Sequence, residues 1–299
     1  MTDRLEAMSI LSAVVEAGSL SAGARAMRMP LATVSRKVAE LETELGAELI
    51  HRSARGVTLT DTGEVYLEAA RRILEDVAEA ERQAGGEFSA PKGTLTLTAP
   101  IVFGRLHVLP VVADFLKAHP DVDARLEQTD RSVNLYEEHI DLAVRIGALP
   151  DSSLIARRLG AVRQVVCASP GYLDRHGTPS RPEDLSAHTC ITFANLMSPD
   201  SWTLRGSRGA INVPINSRFV VNTAEAAICA AEAELGVTRV LSYQIADAVK
   251  HGALVPLLQA FEPEPWPVHF LYRPRGHIPQ KLRAFLNLAI PRITEVLNQ

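Results

Sequence analysis

The stretch PLATVSRKVAELETELG, residues 30–46, carries the strongest constraint in the chain: one amphipathic helix whose charges come in a fixed order. Val34, Val38, Leu41 and Leu45 recur at spacings of four, three and four, which predicts one buried stripe. At about 100° per residue, Ala32 and Arg36 point away from that stripe, with Thr33 and Ser35 on its flanks. Pro30 suits the first turn and Gly46 the C-terminal cap. Between Glu16 and Glu40 every charged residue is positive (Arg25, Arg28, Arg36 and Lys37), and the acids Glu40, Glu42, Glu44 and Glu48 follow. Cations and small hydroxyls on the leading turns, with acids behind them, fit a helix whose N-terminal end meets a polyanion. The bland alternative is a solvated helix with incidental charges.

Upstream, GSLSAGARAM predicts a shorter helix with Ser21 as N-cap and Ala22, Ala26 and Met27 available for packing. Two short helices joined by MRMP form a helix-turn-helix, in which the second helix enters the DNA major groove N-terminus first. Downstream, LIHRSARGVTLT (49–60) predicts a small hairpin with Arg52 and Arg55 at its tip, a wing suited to flanking backbone or minor groove. Ser21, Arg28, Leu31, Ala32, Thr33, Ser35, Arg36, Lys37, Arg52 and Arg55 are therefore the candidate DNA-binding residues. Formal net charge is −4, so the basic surface has to be local.

The run AGSLSAGARAM…VSRKVAELETELGAELIHRSARGVTLTDTG resembles the N-terminal signature of LysR-type transcriptional regulators. It has the Gly-Ser-hydrophobic-Ser start, an alanine-rich second helix and a Val-Ser-Arg core. Leu-Glu-x-x-Leu-Gly, a wing arginine and Leu-Thr-x-x-Gly follow. Length and the order of later elements extend the resemblance over the whole chain. It implies that Thr33, Ser35 and Arg36 match recognition-helix contact positions and that Arg52 matches the wing arginine. Leu31 stands where many members have a polar residue such as Gln, leaving contact with a thymine methyl. Gly23 replaces a usual Ala.

TDTGEVYLEAARRILEDVAEAERQAGGEF is expected to form a long linker helix capped by Asp61 or Thr60, with Glu64 completing a capping box. Tyr66, Ala70, Ile73, Val77, Ala80 and Ala84 alternate spacings of four and three, a coiled-coil seam about three heptads long. A helix polar on most faces has little intrachain surface to cover, so the seam is expected to take a second copy. Packing against its own domain is the alternative. The family's dimeric linker helices agree, and two recognition helices on two half-sites imply a roughly palindromic operator.

Gly85, Gly86 and SAPKG mark a boundary, after which strand-like and helical runs alternate. That pattern argues an α/β fold with mainly parallel sheets. No phosphate-binding glycine fingerprint follows the first strand, so a nucleotide site is not expected. The organisation reads as a winged helix-turn-helix DNA-binding domain over 1–60, a dimerisation helix over 61–86 and an effector-binding domain over 92–299. The resemblance implies that this last domain is periplasmic-binding-protein-like, with subdomain I over 92–161 and 267–299 and subdomain II over 162–266. Ligands in such sheets bind beyond the carboxyl ends of strands. The expected cleft is bordered by Thr129, Asp130 and Arg145 on one side and Asn222 and Thr223 on the other, with Pro100, Ile101 and Phe193 as apolar wall. A guanidinium beside a helix N-terminus favours a small organic anion with an apolar body. Arg145 has a second reading, as a partner of Asp141 or Asp130, and Thr223 is an N-cap in either case.

Partners expected are double-stranded promoter or operator DNA, a small-molecule effector, further copies of the chain as a dimer, tetramer or higher, and RNA polymerase for an activator. No cofactor, metal site or membrane partner is expected. The composition, 46% hydrophobic and 22% charged, is that of a globular protein. The N-terminus has no long apolar run before a cleavage site, so a cytoplasmic location is expected and a periplasmic receptor is not. Cys167, Cys190 and Cys229 show no metal-ligand spacing and read as thiols in a reducing compartment. Two other classes compete. An enzyme on the α/β domain would need a nucleophile elbow, a Cys-His arrangement or a carboxylate pair at the strand ends, and none stands out. A redox-sensing regulator would need an exposed cysteine of low pKa.

Overall fold

A computed structural model describes residues 3–53, 56–84, 90–131, 133–194, 198, 200–207, 209–274 and 278–298. The chain forms two compact units, residues 1–89 and 90–299. The first contains α1 (Arg4–Glu16), α2 (Leu20–Ala26), α3 (Leu31–Leu45), the hairpin β1 (Ile50–Ser53) and β2 (Gly56–Leu59), and α4 (Asp61–Ala84). Asp3 starts α1 by accepting the N–H groups of Leu5 and Glu6. Val34, Val38 and Leu41 join Ile10, Leu11, Val14 and Leu49 in one core. Leu45, the fourth member of the expected stripe, is 40% exposed, because the last turn of α3 runs past the residues it packs on.

The N-cap of α2 is Ser19, not Ser21: Ser19 has extended backbone and its hydroxyl accepts the Ala22 N–H at 3.2 Å. The packing face also differs from expectation, since Ala26 is exposed and Gly23 and Ala24 are buried. A Cβ on Gly23 would lie 2.8 Å from Val14 Cα, so α1 and α2 meet backbone to backbone there. That contact accounts for the glycine at position 23.

The start of α4 departs from a capping box. Thr60 Oγ1 accepts the Gly63 N–H at 2.9 Å, so Gly63 and not Glu64 is the third residue of the helix. A Cβ on Gly63 would come 1.9 Å from the Leu49 carbonyl oxygen. The first half of α4 is part of this domain. Leu67 and Ala70 are buried, Tyr66 packs on the same core, and Arg71 donates to Glu16 and Ser12 of α1. Ala70, placed by its spacing in the expected seam, is thus covered from within its own domain, and Tyr66 is partly covered there.

The second unit holds two five-stranded sheets. Chain order is β3 (Gly93–Ala99), α5 (Ile101–Phe103), a π-helical turn (Gly104–Val108), α6 (Leu109–Ala118), β4 (Val122–Gln128), β5 (Leu142–Ile146) and β6 (Ile155–Val162). It continues with β7 (Gln164–Ala168), α7 (Pro170–His176), β8 (Thr189–Phe193), the hairpin β9 (Ser201–Gly206) and β10 (Gly209–Pro214), and β11 (Asn216–Val221). After these come α8 (Ala224–Glu232), β12 (Val237–Leu241), α9 (Ala246–Lys250), β13 (Val255–Leu257), β14 (Trp266–Tyr272) and α10 (Gln280–Leu297).

The sheets have orders β4-β3-β5-β14-β6 and β11-β8-β12-β7-β13. Each has two parallel and two antiparallel ladders, which corrects the expectation of mainly parallel sheets. A helical crossover makes β3 and β4 parallel and a turn segment leads on to β5, whereas β14 returns from the second sheet and enters with opposite polarity. The first sheet packs on α6 and α10 through Phe115, Phe270 and Phe285. The second has one core around Trp202 and Tyr172 and another around Phe193, Ala227 and Ile228. The sheets are joined at Arg163, whose N–H and carbonyl bond Ser242 and whose guanidinium lies 2.8 Å from Glu262. Among the described residues no single helix is long and apolar enough to cross a membrane.

Candidate functional site

On α3 the leading turns present Leu31, Ala32 and Arg36 to solvent, with Thr33 and Ser35 half-buried beside them. Leu31 is 49% exposed. Arg36 is open apart from an i,i+4 pair with Glu40 at 2.6 Å. Such pairs contribute only about 0.3–0.5 kcal/mol, so Arg36 is released at little cost. Lys37 differs: it is mostly covered and bonded to Glu6 of α1, which makes it a tie between helices as well as a cation. Arg28 is exposed in the turn between α2 and α3 with φ 55, a left-handed conformation that side chains seldom adopt. Ser21 is exposed in the first turn of α2, its hydroxyl 3.3 Å from that of Ser19.

Wing and recognition helix are joined by a residue the sequence reading passed over. Glu42 Oε1 accepts the N–H groups of Leu49 and Ile50 at 2.9 and 3.2 Å, and Oε2 accepts from Arg52 at 3.3 Å. In the sequence it looked like one more acid behind the DNA-facing turns. Its neighbours in the Leu-Glu-x-x-Leu-Gly pattern were the available signal, because that pattern pins a carboxylate at the start of the wing. Arg55 lies outside the described residues.

The expected effector residues fall into three settings. Pro100, Ile101, Thr129 and Asp130 meet at the carboxyl ends of β3 and β4, where Thr129 N–H donates to Ala99 O at 2.9 Å and Ile101 N–H to Asp130 at 3.2 Å. Burial pushes the Asp130 carboxyl upward, and the Glu225 carboxylate adds to this. Glu225 sits in the first turn of α8, which Thr223 caps by accepting the Ala226 N–H at 3.2 Å, and Asn222 beside it is exposed. The Thr223 end of subdomain II therefore faces the Asp130 end of subdomain I. Arg105, from the first sheet's layer, closes on Glu225 at 3.0 Å. That pair is separated by 120 positions in the sequence and no spacing rule announces it.

Phe193 is not a cleft wall. It is fully buried among Cys167, Ile191 and Ala224, because β8 lies between β11 and β12 and its last side chain sits under α8. Arg145 is half-buried on β5 and paired with neither expected acid. Asp141 accepts the Thr96 N–H and lies 3.6 Å from Lys281, and Asp130 holds Ile101. Among the described residues the one side-chain hydrogen bond of Arg145 goes to the Val133 carbonyl at 3.1 Å. Burial lowers its pKa, against the opposing pull of Glu138, which Arg131 already chelates at 2.7 and 2.9 Å. Arg145 is a desolvated cation with little to balance it. Cys167 and Cys190 are buried with thiols pushed up to about 12, while Cys229 is exposed.

A family model described as bacterial regulatory helix-turn-helix protein, lysR family, matches residues 5–64, and one described as LysR substrate binding domain matches residues 89–292. The HTH-type transcriptional activator AaeR of Escherichia coli (strain K12) is 32% identical over 301 residues, covering 98% of this chain and 95% of the relative. An HTH-type transcriptional repressor of Pseudomonas aeruginosa (strain UCBPP-PA14) is 32% identical over 295 residues, covering 98% and 93%. Among solved structures, CrgA from Neisseria meningitidis, a LysR-type transcriptional regulator, superposes with TM-score 0.62 at 30% identity, covering 98% of this chain and 99% of that one. The full-length Vibrio cholerae virulence activator AphB gives TM-score 0.60 at 27% identity, covering 96% and 98%.

Proposed function

This chain belongs to the LysR family of helix-turn-helix transcriptional regulators, and we propose that it binds a roughly palindromic operator as a dimer or tetramer and responds to a small organic anion. DNA binding and effector response are general to the family. The ligand class rests on Arg145. A guanidinium taken out of water and given one neutral carbonyl acceptor gains most from an anion, which restores both charge balance and hydrogen bonds. In this reading Thr129, Asn222 and Thr223 are assigned as the further polar groups of the cleft, and Ile101 and Pro100 as the contacts for the apolar body. The DNA side rests on the exposed face of Leu31, Ala32 and Arg36, flanked by Thr33 and Ser35 and by the wing cation Arg52. For an activator, RNA polymerase is the further partner, and the location is cytoplasmic.

The test has two stages. Selection of bound fragments from random duplexes is expected to return inverted half-sites. A thermal-shift screen of carboxylates with apolar bodies then identifies the ligand, since a true ligand stabilises the folded state with the logarithm of its concentration. A screen in which only neutral or cationic compounds stabilise the protein would overturn the anion reading.

A further inference from the structure

We propose that the effector domain holds a second ligand site, for a small organic cation with an apolar body, in a cavity beside the crossing between its two sheets. The cavity has a volume of about 910 Å³. That lies within the roughly 300–1,000 Å³ typical of sites for drug-sized ligands. None of the residues assigned to the anion cleft lines it. Both subdomains do: Val102 and Leu106 form one apolar wall and Ile228 of α8 another, and the last turn of α10 closes a side.

The charges around it select a cation. Arg105 is paired with Glu225 and Arg163 with Glu262, so the two guanidinium charges are matched by two carboxylates. Glu232 and Asp247 line the same cavity, exposed, and have no ion pair among the described residues. The C-terminal end of α10, an 18-residue helix, adds the partial negative charge of its last carbonyls.

Deeper in, His107 Nε2 is buried without a hydrogen-bond partner. Burial lowers the pKa of that ring. Its ring packs edge-on against Tyr243, 5.6 Å between centroids, and Tyr243 also lines the cavity. The Tyr243 ring at the cavity wall suits an ammonium group. The cavity adjoins the strand-end cleft at Arg105 and Glu225 but differs from it in sign, and none of its lining residues is Arg145.

Calorimetric titration of the full-length protein at neutral pH with phenethylamine, phenethyl alcohol and hydrocinnamate tests the assignment, because the three share a ring and spacer and differ in charge. Phenethylamine is expected to bind at least about tenfold more tightly than either of the others. The double variant Glu232→Gln/Asp247→Asn, exposed and safe for folding, is expected to weaken the amine by about tenfold or more. Val296→Trp, which fills the cavity from an exposed position on α10, is expected to abolish binding, and Arg145→Ala to leave it unchanged. Equal binding of hydrocinnamate, no binding of the amine, or an affinity untouched by both cavity variants would overturn the proposal. Loss of amine binding in Arg145→Ala would overturn it too, by placing the amine in the other cleft.

Discussion

Arg36 and Arg52 carry the same charge in different settings, and that difference separates their roles. Arg36 stands on the exposed face of α3, held only by Glu40. Arg36→Ala is expected to cost roughly 1–3 kcal/mol of operator affinity and to relax preference at one base pair. Arg52 is tethered to Glu42 beside the wing backbone, so Arg52→Ala should weaken all duplexes alike and reduce the salt slope by about one. Salt titrations with operator and random duplex distinguish the two, and equal loss on both duplexes for Arg36→Ala would show that it reads no base. The exposed face of α3 was legible because helical periodicity marks its buried side. Glu42 was not, because its acceptor role depends on where the chain returns after Gly46. Gly63→Ala is the sharpest stability prediction at this scale. With the Leu49 oxygen 1.9 Å from the new methyl, the start of α4 must shift, at about 2–4 kcal/mol. A calorimetric transition of the DNA-binding domain unmoved by this change would contradict the close approach.

The helix α4 shows what periodicity leaves open at the scale of an element. A four-three pattern marks a stripe without saying what covers it. Here the first half of the stripe is covered from within, since Leu67 and Ala70 are buried and Arg71 is tied to α1. Beyond that point the apolar positions change character, with Ile73 43% exposed, Val77 partly so and Ala80 exposed. On the proposal that a second copy packs on α4, the seam starts at Ile73. Ile73→Asp or Val77→Asp is expected to yield monomers by analytical ultracentrifugation while the domain stays folded, because a carboxylate in an apolar seam loses its water without gaining a partner. Ala70→Asp should instead unfold the winged helix. If Ile73→Asp and Val77→Asp both sediment like the parent, dimerisation uses another surface. The strands tell a similar story. Alternating runs announced β3, β4 and β5, but nothing local to β14 says that it enters its sheet antiparallel, since that follows from which side the chain returns on.

Across the whole effector domain the same strand order is built twice, and the chain passes between the two sheets beside Arg163, where Glu262 is held. Residues from the two subdomains therefore approach one another at two places: the strand ends near Asp130 and α8, and the crossing itself. Sequence showed the first, because strand ends in α/β sheets are where ligands bind. It showed Phe193 wrongly, since burial beneath α8 depends on the central position of β8. Arg145 is where residue chemistry and domain geometry meet. Its acids are engaged elsewhere, and its guanidinium is held short of water with a single carbonyl acceptor. An anion bridging Arg145 and the Thr223 side would favour one disposition of the subdomains by its differential affinity for that disposition, which is all a ligand can contribute to a switch. Arg145→Ala removes this interaction and leaves the recognition helix and wing untouched. Operator affinity without effector should stay near that of the parent, and the effector-dependent change should vanish. Arg145→Lys, which keeps the charge but not the planar fork, should recover part of the response. Operator binding measured with and without effector decides the matter. A full response in Arg145→Ala would place the anion's counter-charge elsewhere, and a loss of basal operator binding would mean that Arg145 supports the fold through Val133 rather than the signal.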